Sequence, residues 1–371
     1  MLTADKVLDN AFIKAIMGGS DHPGMKLERP VRTRDAVGNW KTHDTSGGFL
    51  VGELERLDQT FHGPLFTYTY TRDLDMRTDV TTGDEVSSFT QSTFATPGGP
   101  GNGSATGQKR SFIGKVSTQL PTLALDIDKI EQPLVPWGSG VEYSLPELRS
   151  AAQLGRPVDQ QKILALNDNY QLESDAQAYL GWTGNNTTGL INNPTVPATN
   201  LPNAAAGGGG AKWSGGTKQP TEIITDLTNM LYAPWAASGF AVMPNRILLD
   251  PQNYSFISTQ LVSTGGGTTG AISILAYFLQ SNIAKNSGED LRVLPLKWLT
   301  GAGAGGTLMQ QGTTNRGVVY HKSYDRVRFP MTMLERTPIQ FDGLWHKMYW
   351  WGRMGTVEFV YPETAAYFDG M

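Results

Sequence analysis

The clearest apolar pattern lies in the middle of the chain. Ser144-Leu145-Pro146-Glu147-Leu148 places a hydroxyl before a proline-bearing first turn, which predicts a short helix capped by Ser144 and running to Gly155. From Pro157 onward Val158, Ala165, Leu172 and Tyr179 recur at sevens, with Leu166, Ala176 and Leu180 beside them, until Gly181. That recurrence predicts one helix over 157–180, roughly 36 Å long at 1.5 Å per residue. Upstream the period falls to two: Phe66, Tyr68 and Tyr70 alternate with Thr67, Thr69 and Thr71, as in a strand. Val86–Phe94 and Arg110–Val116 read as two weak strands flanking a Gly/Pro tip, Pro97 to Gly103. Leu120–Val141 reads as two more, with Ala124–Asp128 in alternation. Residues 219–300 alternate helices (Glu222–Tyr232, Gln252–Leu261, Ser273–Ile283) with strands (Arg246–Leu249, Leu291–Leu299). From Gly317 strands dominate: Val318–Tyr320, Lys347–Trp351 and Gly355–Tyr361. Residues 1–60 offer one short helix, Ala4–Met17, in an otherwise extended arm, and Ala204–Gly210 reads as a surface loop.

The segment from Leu74 to Lys115 poses a burial problem. Its apolar residues, Val80, Val86, Phe89, Phe94, Phe112 and Ile113, are too few for a core of their own. They are too many for a solvated linker, which is depleted in aromatics. An isolated two-stranded hairpin is marginal in water. The expectation is a hairpin laid on another copy, a disordered loop being the alternative, with Val86, Phe89, Phe94, Phe112 and Ile113 in contact and Arg72 and Asp73 making charge pairs there.

Composition sharpens this picture. Charged residues make up 17% of the 371, against roughly 25% in ordinary soluble domains. The 9 Trp, 13 Tyr and 14 Phe exceed what the cores need, and contact surfaces are enriched in aromatics and depleted in charge. The 43 Gly and 21 Pro favour strands and turns over a helix bundle. A net charge of −4 with no basic run argues against tight direct binding of nucleic acid, which requires many neutralised phosphates. The absence of cysteine removes disulfides, thiolate metal sites and a Cys nucleophile. Met1–Lys6 has no signal-peptide pattern and no run approaches the ~18 apolar residues of a membrane span, so an aqueous setting is expected.

Candidate chemistry is sparse. Gly301-Ala302-Gly303-Ala304-Gly305-Gly306 matches a dinucleotide fingerprint, but the following Thr307–Thr314 does not open a helix that could present amides to a pyrophosphate. It reads as a loop. His22, His43, His62, His321 and His346 lack metal-ligand spacing, and no nucleophile elbow occurs. Phe341, Trp345, Tyr349, Trp350 and Trp351 have only Lys347 and Arg353 nearby, which favours core and contact roles over base stacking. The expectation is no enzyme, no cofactor and no metal.

One stretch carries a resemblance. Val141-Glu142-Tyr143-Ser144-Leu145-Pro146-Glu147-Leu148-Arg149-Ser150-Ala151-Ala152, Asp175–Gly181 and Gly189-Leu190-Ile191-Asn192-Asn193-Pro194 resemble the spine-helix region of tailed-bacteriophage major capsid proteins of the Hong Kong ninety-seven type. Leu291–Leu296 and Val357–Pro362 are similar in placement. The resemblance implies an α+β fold in five stretches: an N-terminal arm (1–60), an extended hairpin or E-loop region (61–119), a peripheral domain with the spine helix (120–190), an axial α/β domain (191–316), and a return to peripheral strands (317–371). It implies hexamers and pentamers of one chain in an icosahedral shell, enclosing double-stranded DNA without sequence-specific binding and without a membrane. Portal, decoration or scaffolding proteins would be its partners, the virion capsid its place, and the host bacterial cytoplasm its site of synthesis. No long acidic scaffold precedes the arm. Lys109 and Lys115 lie in the hairpin, but no residue identifies a crosslinking partner. An encapsulin-type compartment shell, a surface-binding module, and a nucleotide enzyme built on Gly301–Gly306 are the alternatives.

Overall fold

The computed structural model describes residues 31–34, 40–43, 64–95, 124–153, 158–205, 210–262, 272–303 and 314–371. The expected helix Ala4–Met17, the hairpin tip Pro97–Gly103, the strand Arg110–Val116 with Phe112 and Ile113, and residues 304–306 of the Gly301–Gly306 loop lie outside these. Contacts divide the chain into residues 1–65 and 66–371. In the first unit, β1 (Val31–Arg34) pairs antiparallel with β2 (Trp40–His43).

The second unit opens with α1 (Tyr70–Asp73), a single turn where alternation had predicted a strand. The cause is tertiary: the Asp175 carboxylate accepts the Thr69 and Tyr70 amides at 2.7 and 3.1 Å, holding the start of the turn. Strands β3 (Asp75–Arg77), β4 (Val86–Ala95), β5 (Ala124–Pro133) and β6 (Val135–Ser144) follow. Helix α2 (Leu145–Gln153) begins as predicted, with Ser144 Oγ accepting the Glu147 amide at 3.2 Å.

The long helix α3 (Val158–Leu180) is continuous and ends at Gly181, whose φ of +65° suits glycine. Its buried face differs from the sevenfold stripe. It runs in fours through Leu166, Tyr170, Ser174 and Ala178, with Asp175 and Tyr179 alongside, while Ala165 is exposed. Two polar residues on that face disguise it in the sequence. Ser174 Oγ is satisfied by the Tyr170 carbonyl at 2.7 Å, and Asp175 by the donors at α1.

Beyond α3 come β7 (Ala198–Asn200), α4 (Pro220–Ala237), β8 (Arg246–Leu249), α5 (Pro251–Thr259), β9 (Leu261–Val262), β10 (Ile272–Ser273), α6 (Ile274–Gln280) and α7 (Ile283–Asn286). The helix predicted over Ser273–Ile283 is therefore broken. Asn282 ends α6 by donating to the Phe278 carbonyl at 3.0 Å and starts α7 by accepting the Lys285 amide at 2.7 Å. Then follow β11 (Arg292–Pro295), β12 (Arg316–Tyr320), β13 (Val327–Pro330), β14 (Glu335–Arg336), β15 (Gln340–Asp342), β16 (Trp345–Met354), β17 (Glu358–Phe359) and β18 (Ala366–Asp369). Two predicted strands are shorter than expected: 291–299 keeps 292–295 before a 3-10 turn, and 355–361 keeps 358–359.

Five strands form a mixed sheet in the order β11-β8-β12-β18-β7. Its two faces feed two cores. Leu248, Val318, Tyr320 and Tyr367 join one with α3, whereas Ile247, Leu249, Val319, Ala366 and Phe368 join the other with α4, α5 and α6. Burial on both faces explains the unbroken apolar runs Ile247–Leu249 and Val318–Tyr320. A second sheet pairs β6 with β16 over ten residues, Val135 opposite Met354 and Ser144 opposite Trp345. Helix α3 crosses it: Tyr170 donates to the Thr332 carbonyl at 3.3 Å and Gln177 to the Gly355 carbonyl at 3.3 Å. Close approach at the end of α3 requires glycine, since a Cβ on Gly189 would lie 2.1 Å from the Tyr179 carbonyl oxygen.

Candidate intersubunit surface

Strands β4 and β5 form an antiparallel ribbon from Val86 opposite Pro133 to Ala95 opposite Ala124. The return strand is thus β5, not Arg110–Val116. Weak apolar content in both stretches leaves that register open in the sequence, where 124–133 reads as part of the body.

The base of the ribbon is fixed by charge. Glu358 on β17 is fully enclosed and sits between two arginines: Arg328 Nε donates to it at 2.6 Å and Arg77 Nη1 at 3.1 Å. Ser87 on β4 donates its hydroxyl to the same carboxylate, and Arg77 also donates to the Ser88 carbonyl at 3.1 Å. One carboxylate therefore ties β3, β13 and β17 to the first turn of the ribbon. Buried carboxylates survive when paired and hydrogen-bonded in this way. Arg353 reinforces the base by donating to the Thr82 carbonyl at 2.8 Å.

Farther out, the two faces of the ribbon diverge. Residues opposite one another share a face. On the face that Ser87 shares, Phe89 and Gln91, with Gln132 and Ile130, turn toward the body across a cavity of about 320 Å³ that Pro194, Phe359 and Pro362 also line. The Arg328 guanidinium lies 5.9 Å from the Phe89 ring. On the other face Val86, Ile127 and Leu125 stand in solvent, the last two 61% and 67% exposed. The register sets Phe94 opposite Leu125.

The predicted contact residues separate accordingly. Val86 is exposed on the outer face and Phe89 half-buried on the inner one. Phe94 is placed by register alone, and Phe112 and Ile113 lie outside the described residues. Asp73 departs from expectation, because its side chain is fully buried within its own chain. It pairs with Arg72 at 2.7 Å and accepts the Tyr179 hydroxyl at 2.5 Å, while its carbonyl accepts the Tyr320 hydroxyl at 2.6 Å. Arg72 in turn reaches the Pro295 carbonyl at 3.0 Å. Burial raises the pKa of Tyr179 and Tyr320 first, and the nearby Asp73 charge adds to it. This pair is an internal staple.

The sequence does not single out Leu125 and Ile127 as exposed apolar residues of the ribbon, although the alternation Ala124–Asp128 carries the signal. A second aromatic face lies on β16. Met348 and Trp350 point inward, whereas Trp345, Tyr349 and Trp351 lie outward, 39–48% exposed. A Cβ on Gly140 would meet the Tyr349 ring at 2.6 Å, so this glycine gives the ring room to lie across β6. Among the described residues no group of three His, Asp or Glu is placed to hold a metal. His321 is buried against the Met243 carbonyl at 2.7 Å, and His346 stacks edge-on against Phe341 and Tyr143. Among the described residues no helix is long and apolar enough to cross a membrane.

Comparison with known proteins supplies the context. The sequence profile of the family described as "Major capsid protein" matches residues 109–371. A search of curated proteins finds no match. Among solved structures, the chain is similar to the capsid of Myoviridae phage XM1, with a TM-score of 0.64 at 16% identity, covering 88% of this chain and 99% of that one. It is similar to the capsid of a native GTA particle, with a TM-score of 0.53 at 12% identity over 86% and 96%. The SrpI encapsulin of Synechococcus elongatus matches at a TM-score of 0.50 and 10% identity, over 85% and 92%.

Proposed function

The chain belongs to the major capsid protein family, and from that premise we infer how it builds a shell. It is a structural capsid subunit, and its work is adhesion between copies. Each subunit lays the β4–β5 ribbon on a neighbour, within hexamers and pentamers that close around packaged double-stranded DNA. Portal and decoration or scaffolding proteins attach to that shell in the virion, and synthesis takes place in the bacterial cytoplasm.

The ribbon carries this reading. It is rigid at its base through Glu358, yet Leu125 and Ile127 are presented to solvent on a strand pair that would be marginal alone. A clasp needs both properties: a fixed angle of departure and an uncovered apolar face. Burying the outer face supplies roughly 1.5–3 kcal/mol per large side chain as an upper figure. Fixing those side chains in single rotamers offsets part of that gain.

The double variant Leu125→Ser with Ile127→Ser tests the mechanism, because it removes the apolar outer face while the Glu358 anchor stays in place. The variant is expected to remain folded and soluble without closing shells, as read by light scattering. Full-size particles from it would overturn the clasp.

A further inference from the structure

At the C-terminal end of α4 the chain does something costly without an internal reason. Gly239 and Phe240 both adopt left-handed backbone, with φ of +66° and +64°. Glycine does this freely, whereas a bulky aromatic residue there is a backbone outlier. The strained residue is also exposed: the Phe240 side chain is 54% in solvent and Tyr232, two turns back, 48%. Buried packing therefore does not explain why a phenylalanine stands where glycine would fit better.

The geometry shows what the strain achieves. Phe240 N donates to the Trp235 carbonyl at 2.9 Å, and the Trp235 indole N–H donates to the Phe240 carbonyl at 3.1 Å. These two bonds clamp the turn. They set the Phe240 ring edge-on to Trp235 at 4.8 Å and 6.2 Å from Tyr232. With its only polar group spent on the backbone, Trp235 adds a purely apolar surface. From Leu227 to Asn245 the chain carries no formal charge. A rigid aromatic trio on an uncharged stretch of chain has the composition of an interface centre.

We propose that this aromatic corner is a contact between copies of this chain, formed by each subunit with the next around a ring. Its size argues for that occupant. Three partly covered rings present on the order of 300 Å², well short of the roughly 800 Å² per partner of a stable pair. The corner cannot hold a free partner on its own, so it works where other contacts already bring the next subunit into place. A shell supplies that setting, and the proposal rests on the capsid reading to this extent.

The test is Phe240→Gly, which relieves the backbone and removes the ring, with Tyr232→Ser as a second variant on regular helix. Unassembled Phe240→Gly is expected to melt at or above the wild-type temperature. Its critical concentration for shell assembly, followed by light scattering, is expected to rise at least tenfold, and Tyr232→Ser to raise it severalfold. Assembly of both variants at the wild-type concentration would overturn the proposal, as would a loss of subunit stability that accounts for the assembly defect. If wild-type protein itself forms no shells, the capsid reading fails first, and the two failures are distinguishable.

Discussion

Replacing Glu358 with glutamine keeps the shape of the side chain and removes the one negative charge between Arg77 and Arg328. The carboxylate is fully enclosed, while each arginine keeps 14% of its side chain exposed. Breaking a buried pair from one side costs about 3–5 kcal/mol. Partial solvation of both guanidiniums favours the lower end, about 3 kcal/mol. For a cooperative unit spanning Phe66–Met371, an unfolding entropy of about 2.1 cal/mol/K per residue turns this into a melting shift of roughly 5 °C. The loss should be centred on the ribbon, because Ser87 and the Ser88 carbonyl depend on the same cluster. Hydrogen exchange should therefore rise in 86–92 and 130–134 before it rises in α3. Replacing the whole cluster with apolar residues (Arg77→Met, Arg328→Met, Glu358→Leu) should recover most of the stability, since no buried charge is left unpaired. Scanning calorimetry and exchange mass spectrometry read both effects. A Glu358→Gln shift below about 1 °C, or exchange changes confined to regions away from the ribbon, would refute the anchoring role.

Other expectations follow from single features. Gly189→Ala should prevent accumulation of soluble subunit, because the new methyl would overlap the backbone of Tyr179 and cost at least about 3 kcal/mol; expression and solubility assays check this. Burial raises the pKa of Tyr70, Tyr170, Tyr179, Tyr320 and Tyr367, that of Tyr170 to about 12. The neutral phenol is thus favoured by the fold, so this stability is intact below the ordinary tyrosine pKa of about 10 and is lost as pH rises through the folded values. Melting temperature should fall steeply above pH 10, and the ultraviolet titration of these phenols should coincide with unfolding. Calorimetry should detect no micromolar binding of NAD or ATP. Gly303 donates its amide to the Thr314 carbonyl at 2.9 Å, and stoichiometric binding lost on Gly303→Val would contradict this.

Legibility in the sequence followed how locally each element is determined. Helix α3, its Pro and Gly borders, the Ser144 cap and the doubly buried strand at 246–249 depend on neighbours in the chain, and all were readable. Tyr70–Asp73 was not, because Asp175, a hundred residues away, supplies its cap. The buried face of α3 was hidden by Ser174 and Asp175, which look solvent-facing until their partners are known. Strand β18 is four residues after a turn, too short for its period to register, although it sits inside the main sheet between β12 and β7. Of the ribbon residues, Val86 and Phe89 could be singled out from burial arithmetic, although only Val86 lies on the exposed outer face while Phe89 turns toward its own body. Leu125 and Ile127 could not be assigned to the ribbon without the register. Asp73 looked like a surface charge because its partners, Tyr179 and Tyr320, are remote in sequence.

Electron microscopy of the purified chain at assembly concentration bears most directly on the central claim, that this protein acts by closing shells of identical copies. The account predicts closed particles of uniform diameter with five- and sixfold capsomers. Only monomers or small open oligomers, across salt and concentration and with the ribbon intact, would contradict it.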